Sequence, residues 1–302
     1  MPHIPVLLKE VIEYLSPAPG KIFIDATYGG GGHSKALLEK VGSEGRVLAI
    51  DADRGISEEK DKSLIFVRAN FKDLAAIANS SGFGQVDGIL FDLGLSSLEL
   101  EDASRGFSFS KDGPLDMRFD QTTGRTAADI VNISSEQELR KIFEDFGEER
   151  LSKRIARVIL KERFVHKPRT TRELFELIKK AVPASLRMRT GDVARRIFQS
   201  LRIAVNGELE NLENALPQAF RLLKPGGRMV VISFHSLEDR IVKKFFLKLA
   251  KGCTCPPEFP QCICGKKPQA RILTRKPVAA LKQEVALNSR AKSAKLRAVE
   301  KL

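Results

Sequence analysis

The chain has no apolar run approaching the roughly 18 residues that a membrane span needs. Met1 to Glu10 also carries no basic segment ahead of an apolar stretch, as a secretion signal would. Both absences point to a cytoplasmic protein with no membrane partner. Cysteine is scarce and confined: all four fall between residues 253 and 264, so no disulfide framework spreads through the chain. Two phosphate-binding signatures are missing as well. The phosphate loop requires Gly-Lys-Ser/Thr at the end of its glycine run, and the dinucleotide fingerprint fails because Ser34 takes its third glycine position. ATP and NAD both lose ground as ligands. No internal repeat is apparent.

What is present is size and positive charge. With 302 residues, 42% of them hydrophobic, the chain has room for one large domain or two ordinary ones. Lys and Arg exceed Asp and Glu by 51 − 38 = +13, which points to a polyanionic partner. The excess is segregated. Residues 1–100 hold 10 basic and 14 acidic side chains, residues 140–202 hold 18 and 8, and residues 265–302 hold 11 and 2. A slightly acidic ligand-binding half with basic segments attached implies that small-molecule and polyanion binding are divided along the chain.

The stretch from Ile22 to Ser34 passes from an apolar β-branched run to a glycine loop to a helix start. Four glycines, Gly29 to Gly32, remove every Cβ where the chain turns off the strand end, so a ligand can approach the backbone amides. The helix that follows, about 33–41, offers an amino terminus suited to a carboxylate or phosphate. With the pyrophosphate signatures missing, the pattern favours a nucleoside that carries a carboxylate. Asp51 ends the next apolar strand, 20 residues beyond Gly31, the offset at which an acid accepts from ribose hydroxyls.

Strands are expected at about 21–26, 46–51, 64–68, 86–92 and 228–234, and plausible last strands at 271–278 and 295–300. Alternating strands and helices imply a parallel sheet with its ligand at the carboxyl strand ends. The glycine loop, Asp51, Phe71 and Asp92 would gather on that rim, where the Phe71 ring can lie on an adenine face. From Arg105 to Arg118 the text is turn-rich, and then it becomes helical. Ser135 with Glu138 and Thr170 with Glu173 have capping-box spacing ahead of helices near 136–146 and 171–181. Leu151, Ile155, Val158 and Ile159 mark a helix between them, opposite Lys153, Arg154, Arg157 and Lys161. Another helix begins near Asp192. Residues 115–205 thus read as an inserted, all-helical subdomain, basic on one side, and residues 1–114 and 206–302 as the ligand-binding domain around it.

Six segments taken together carry a resemblance. Asp25-Ala-Thr-Tyr-Gly-Gly-Gly-Gly-His33, Asp92-Leu-Gly-Leu-Ser-Ser97, Arg105-Gly-Phe-Ser-Phe109, Gly113-Pro-Leu-Asp-Met-Arg118, Phe198-Gln-Ser-Leu-Arg-Ile-Ala-Val-Asn206 and Ile232-Ser-Phe-His-Ser-Leu-Glu-Asp-Arg240 resemble the bacterial MraW/RsmH family. Its members are S-adenosylmethionine-dependent 16S ribosomal RNA cytosine-N4 methyltransferases. The resemblance runs from His3 to about Ala298. It implies a Rossmann-like methyltransferase α/β fold with a mostly parallel sheet and a helical interruption. The implied partner is 16S ribosomal RNA or the small ribosomal subunit. The implied S-adenosylmethionine site comprises Gly31, Gly32, His33, Asp51, Phe71, Asp92 and Glu99. Glu99 departs from the family, which commonly has Ser-Ser-Pro-Gln-Leu-Asp where this chain has Ser-Ser-Leu-Glu-Leu-Glu. Asn288-Ser-Arg-Ala-Lys-Ser293 departs from the usual Asn-Pro-Arg-Ala-Arg-Ser.

Methyl transfer to a cytosine amine needs near-linear placement and an acceptor for the N–H proton, because the amine lone pair is delocalised into the ring. Asp92-Leu-Gly-Leu stands where many amino methyltransferases have an Asp-Pro-Pro-Tyr-like turn, so no motif identifies that acceptor. Asp92, Asp116 and His235 are the candidates. Separately, Cys253, Cys255, Cys262 and Cys264 form two C-x-C pairs that can hold a structural zinc or remain a reduced loop. An NAD-dependent dehydrogenase and a non-enzymatic RNA-binding module stay as the rival functions.

Overall fold

The computed structural model describes residues 5–53, 55, 62–95, 100–252, 255, 261 and 264–302. They form two compact units, Met1–Gly94 with Leu209–Leu302, and Leu95–Glu208.

The first unit is built on a seven-stranded sheet of order β3-β2-β1-β4-β5-β7-β6. Its strands are β1 (Ile22–Asp25), β2 (Arg46–Asp51), β3 (Leu64–Arg68), β4 (Val86–Asp92), β5 (Leu223–Ser233), β6 (Ala270–Ile272) and β7 (Lys295–Lys301). The first five pair in parallel, and β7 runs antiparallel to both β5 and β6. Central strands of a parallel sheet are covered on both faces, which is why their sequences are almost continuously apolar. Side chains alternate between the faces. Ile24, Leu48, Ile50, Ile89 and Phe91 belong to one core cluster, together with Leu74 and Ala78 of α3 (Leu74–Ser80) and Leu216 and Phe220 of α9 (Glu208–Leu222). Val242 and Phe246 of α10 (Ser236–Ala250) complete that side. Phe23, Val47, Ala49 and Leu90 face the other cluster, with Val11 and Leu15 of α1 (Leu8–Leu15) and Leu37 and Val41 of α2 (Gly32–Val41).

Two strands differ from expectation for local reasons. β5 starts at Leu223 rather than Arg228, because Lys224-Pro-Gly-Gly227 forms an irregularity in the ladder: Leu223 pairs with Val86, and pairing resumes at Gly88 with Arg228. The strand expected over 271–278 is only β6. At Thr274 the side-chain hydroxyl replaces a ladder carbonyl by accepting from the Ala298 N–H at 2.9 Å. A single bridge from Val278 to Leu296 follows.

The second unit holds α4 (Ala127–Ile133), α5 (Glu136–Asp145), α6 (Ser152–Arg163), α7 (Thr171–Ala181) and α8 (Thr190–Asn206) around Leu139, Phe143, Ile155, Leu174, Ile178 and Ile197. Complete capping boxes start α4, α5 and α7 at Thr126/Asp129, Ser135/Glu138 and Thr170/Glu173. The unit begins at Leu95, ahead of residue 115, because the turn-rich loop contributes Phe107, Leu115 and Met117 to its core. Buried Arg105 pins that loop by donating to the carbonyls of Arg118 and Phe119 at 3.0 Å each. Gly106, at φ +73°, is required there, since a Cβ would overlap the Pro114 carbonyl. No helix among the described residues is long and apolar enough to cross a membrane.

Thr170→Ala removes the hydroxyl that accepts the Glu173 N–H at the start of α7. It is expected to cost about 1 kcal/mol, read as a lower denaturant midpoint with an unchanged slope.

Candidate functional site

The strand order reverses between β1 and β4, and such a switch point is where open α/β sheets bind ligands beyond their carboxyl strand ends. The chain leaves β1 through Ala26, Thr27 and Tyr28, and β4 ends at Asp92. Ala26 N–H donates to the Leu90 carbonyl and Tyr28 N–H to that of Ile50, so the glycine loop leaves the sheet already anchored on both sides. Thr27 Oγ1 accepts the Asp92 N–H at 2.6 Å, tying the loop directly to the neighbouring strand end.

The loop then folds into a cradle from which side chains are excluded. Gly31 adopts φ +74°, and a Cβ there would stand 2.7 Å from the Tyr28 hydroxyl oxygen. At Gly32 a Cβ would meet Pro5 at 3.0 Å. Gly31 is the N-cap of α2 and uses no side chain to cap it, so the first turn presents backbone N–H groups and positive dipole charge together.

Asp51, at the end of β2, latches this loop. Its Oδ2 accepts the Gly29 N–H at 2.8 Å and its Oδ1 accepts the Asp53 N–H at 2.8 Å. Each carboxylate oxygen keeps a further lone pair for a ligand hydroxyl. Burial raises the Asp51 carboxyl above its usual range, while the Asp53 and Gly29 N–H groups pull the other way.

Beneath the loop lies a group of buried ionisable side chains. Asp25, fully buried in β1, accepts from Ser34 Oγ at 2.7 Å and from Thr27 N–H at 3.2 Å. Burial is the dominant influence on it and pushes its pKa from 3.8 up to about 6, although the charge of His33 and the Ser34 hydroxyl oppose the rise. His33 Nε2 lies 3.4 Å from Asp92 Oδ2. Burial disfavours the imidazolium, but Asp92 and then Asp25 outweigh it and move the His33 pKa upward. Both His33 ring nitrogens and Asp92 Oδ1 are buried with no hydrogen-bond partner among the described residues. Groups of that kind carry a desolvation penalty that a ligand relieves.

The structure therefore brings Gly31, Gly32, His33, Asp51 and Asp92 to one rim. Phe71, just past β3 in a short 3-10 turn, is half-buried and meets Phe91 edge-on at 5.7 Å. Glu99 lies outside the described residues. Asp116 belongs to the helical unit, where Arg118 grips it through Nε–Oδ1 and Nη2–Oδ2 contacts of 2.8 Å each. Burial raises its pKa, but the Arg118 side-chain and backbone contacts prevail and hold it below the usual range. His235 follows β5 at the start of α10, with both ring nitrogens buried. Its Nε2 is 3.1 Å from Glu238 Oε1. Cys253 and Cys262 lie outside the described residues, whereas Cys255 and Cys264 are half-buried. Sequence reasoning passed over Asp25, Thr27 and Ser34 as working parts of the site. The available signal was an acid closing an otherwise apolar strand, with hydroxyls two and nine residues later.

The MraW methylase family matches residues 1–302. A Ribosomal RNA small subunit methyltransferase H from Heliobacterium modesticaldum is 48% identical, covering 99% of this chain and 98% of its own length. A protein of the same name from Thermomicrobium roseum is 51% identical, covering 99% and 94%.

Because Asp25 titrates near pH 6 when folded and near 4 when unfolded, its protonated form stabilises the fold. That contribution is complete below about pH 4 and is lost as pH rises through about 6, amounting to about 3 kcal/mol. Asp25→Asn keeps an acceptor for Thr27 and removes the titration. Relative to the variant, wild type is expected to lose stability between pH 4 and 6 in urea unfolding; parallel pH profiles would contradict the assignment.

Proposed function

The chain belongs to the MraW methylase family, and on that premise we propose that it methylates the N4 amine of a cytidine in 16S ribosomal RNA, using S-adenosylmethionine. The observation that carries this reading is the rim itself: a glycine cradle at a helix amino terminus, beside Asp51 and buried His33 Nδ1 and Asp92 Oδ1, which have no hydrogen-bond partner among the described residues. The fit to the cofactor is chemical. Its carboxylate matches the amides of Gly32 and His33, just past Gly31, whose own N–H donates to the Tyr28 carbonyl at 2.8 Å; its ribose matches Asp51, and its adenine matches half-buried Phe71. Asp92 Oδ1 is suited to accept from the methionine ammonium or the adenine amine, and Glu99 completes the set carried over from the family.

When bound, S-adenosylmethionine supplies an electrophilic methyl group on a sulfonium sulfur. The protein's part is to hold donor and acceptor in line and to receive the amine proton. Asp116 is poorly suited to that task, since Arg118 occupies both its oxygens and lowers its basicity. Asp92 and His235 remain as candidates in the unit that holds the cradle. The exposed cations Lys153, Arg154 and Arg157 on α6, with the basic tail, are assigned to the RNA backbone. Arg157 also pairs with Glu136 at 2.9 Å, an exposed contact that phosphate can displace. A small-subunit substrate places the protein in the cytoplasm. Four thiolates this close in sequence could hold a structural zinc, although the pairs are C-x-C where structural zinc sites usually have C-x₂₋₄-C; metal analysis of the pure protein finding none would end that idea.

Small subunits lacking their own modifications, incubated with labelled cofactor, are expected to yield N4-methylcytidine on nucleoside mass spectrometry. Asp51→Ala is expected to weaken cofactor binding about 10- to 100-fold by calorimetry. Replacing Lys153, Arg154 and Arg157 with alanine leaves cofactor binding intact and lowers RNA affinity. Label on no RNA would favour a non-enzymatic RNA-binding module, and tighter binding of NAD than of S-adenosylmethionine would favour a dehydrogenase.

A further inference from the structure

The cradle-bearing unit presents a charged surface of its own. α10 begins three residues after β5, and the last pairs of β5 include Ile232 with Asp92, so the helix departs from the ligand rim. Its inner face is apolar: Leu237, Val242 and Phe246 are buried, with Ile241, Phe245 and Leu249 packed beside them. The opposite face carries Arg240, Lys243, Lys244, Leu247, Lys248 and Lys251, all exposed. Their spacing of i, i+3, i+4, i+7, i+8 and i+11 makes one stripe. From end to end it measures about 16 Å.

The acids of this helix are turned away from the stripe. Glu238 is 3% exposed and accepts the Phe234 N–H at 2.8 Å. Asp239 takes Arg297 at 2.6 Å. Glu213 on α9 is the acid that faces Arg240 and Lys244, across a shallow cleft also lined by Leu216, Ile241 and Phe245. Lys243, Lys244 and Lys248 have no ion-pair partner among the described residues. Beyond the helix end, the Gln269 N–H donates to the Leu249 carbonyl at 2.9 Å, which brings exposed Lys266 and Lys267 alongside the same end of the helix.

We propose that this face of α10 is a second RNA-binding surface, separate from the helical unit, which follows the phosphodiester backbone of the ribosomal RNA strand leading to the ligand rim. The inference rests on the rRNA substrate reading given above. Closely spaced lysines with no ion-pair partner among the described residues match the regular negative charge of that backbone. One exposed leucine in the stripe does not make the apolar face that insertion into a lipid surface needs.

The test uses the full chain with Lys243, Lys244 and Lys248 all changed to alanine, and a second variant with all three changed to arginine. Calorimetry with S-adenosylmethionine is expected to give wild-type affinity for both, which shows that the unit stays folded. Binding of unmodified small subunits is then followed over a salt series. The alanine variant is expected to lose about tenfold or more in affinity at low salt, and the slope of log K against log salt is expected to fall by about 2. The arginine variant retains both. An unchanged slope and affinity in the alanine variant would overturn the proposal, as would a loss confined to anionic phosphatidylglycerol vesicles with RNA binding intact. The slope comparison stands apart from methyl transfer: absence of label with wild type defeats the activity reading, whereas equal slopes defeat this one.

Discussion

A backbone N–H and a carboxylate hold the candidate site in shape. Gly29 donates to Asp51 at 2.8 Å, so the end of β2 fixes a loop that has no side chains of its own to pack. Four glycines in a row are a poor way to define a conformation, because each has more freedom to lose on folding than any other residue. The latch to Asp51, the anchor of Tyr28 on Ile50 and the grip of Thr27 on Asp92 together supply the order that the glycines lack. What Gly31 and Gly32 contribute is close packing at the helix start: a Cβ at Gly31 would overlap the Tyr28 ring end and one at Gly32 would press on Pro5.

The second constraint is electrostatic. Asp25 and His33 are buried, where desolvation penalises charge, and Asp92 closes β4 beside them. Asp25 is satisfied by Ser34 and Thr27, and His33 Nε2 lies 3.4 Å from Asp92 Oδ2, yet His33 Nδ1 and Asp92 Oδ1 have no hydrogen-bond partner among the described residues. A fold that served stability alone would not keep such groups. Their retention beside an open cradle is what a site prepared for a charged, polar ligand looks like.

Much of this was legible in the sequence because the relevant patterns are local. β2, β3 and β4 follow their apolar runs to the residue, and the helices at 136 and 171 start where Ser135/Glu138 and Thr170/Glu173 place their caps. The loop, Asp51 and Asp92 were readable because strand ends converge in a parallel sheet. What was missed depends on contacts between distant segments or on a less familiar residue choice. α4 is capped by Thr126 with Asp129, an aspartate where the usual box has glutamate. The turn-rich loop joins the helical unit through Arg105, Phe107 and Met117, and no periodicity announces this. The bond from Asp25 to Ser34 spans a strand end and a helix start, so only the folded geometry reveals it.

On the proposed reading, the rim at the end of β1 seats the amino-acid end of S-adenosylmethionine while Asp51 holds its ribose. The most direct measurement is a crystal structure of this protein with S-adenosylhomocysteine. The ligand carboxylate is expected on the amides of Gly32 and His33, the ribose hydroxyls on Asp51 and the adenine against Phe71. A ligand bound elsewhere on the molecule, or one at this rim that leaves Asp51 and the glycine amides untouched, would contradict it.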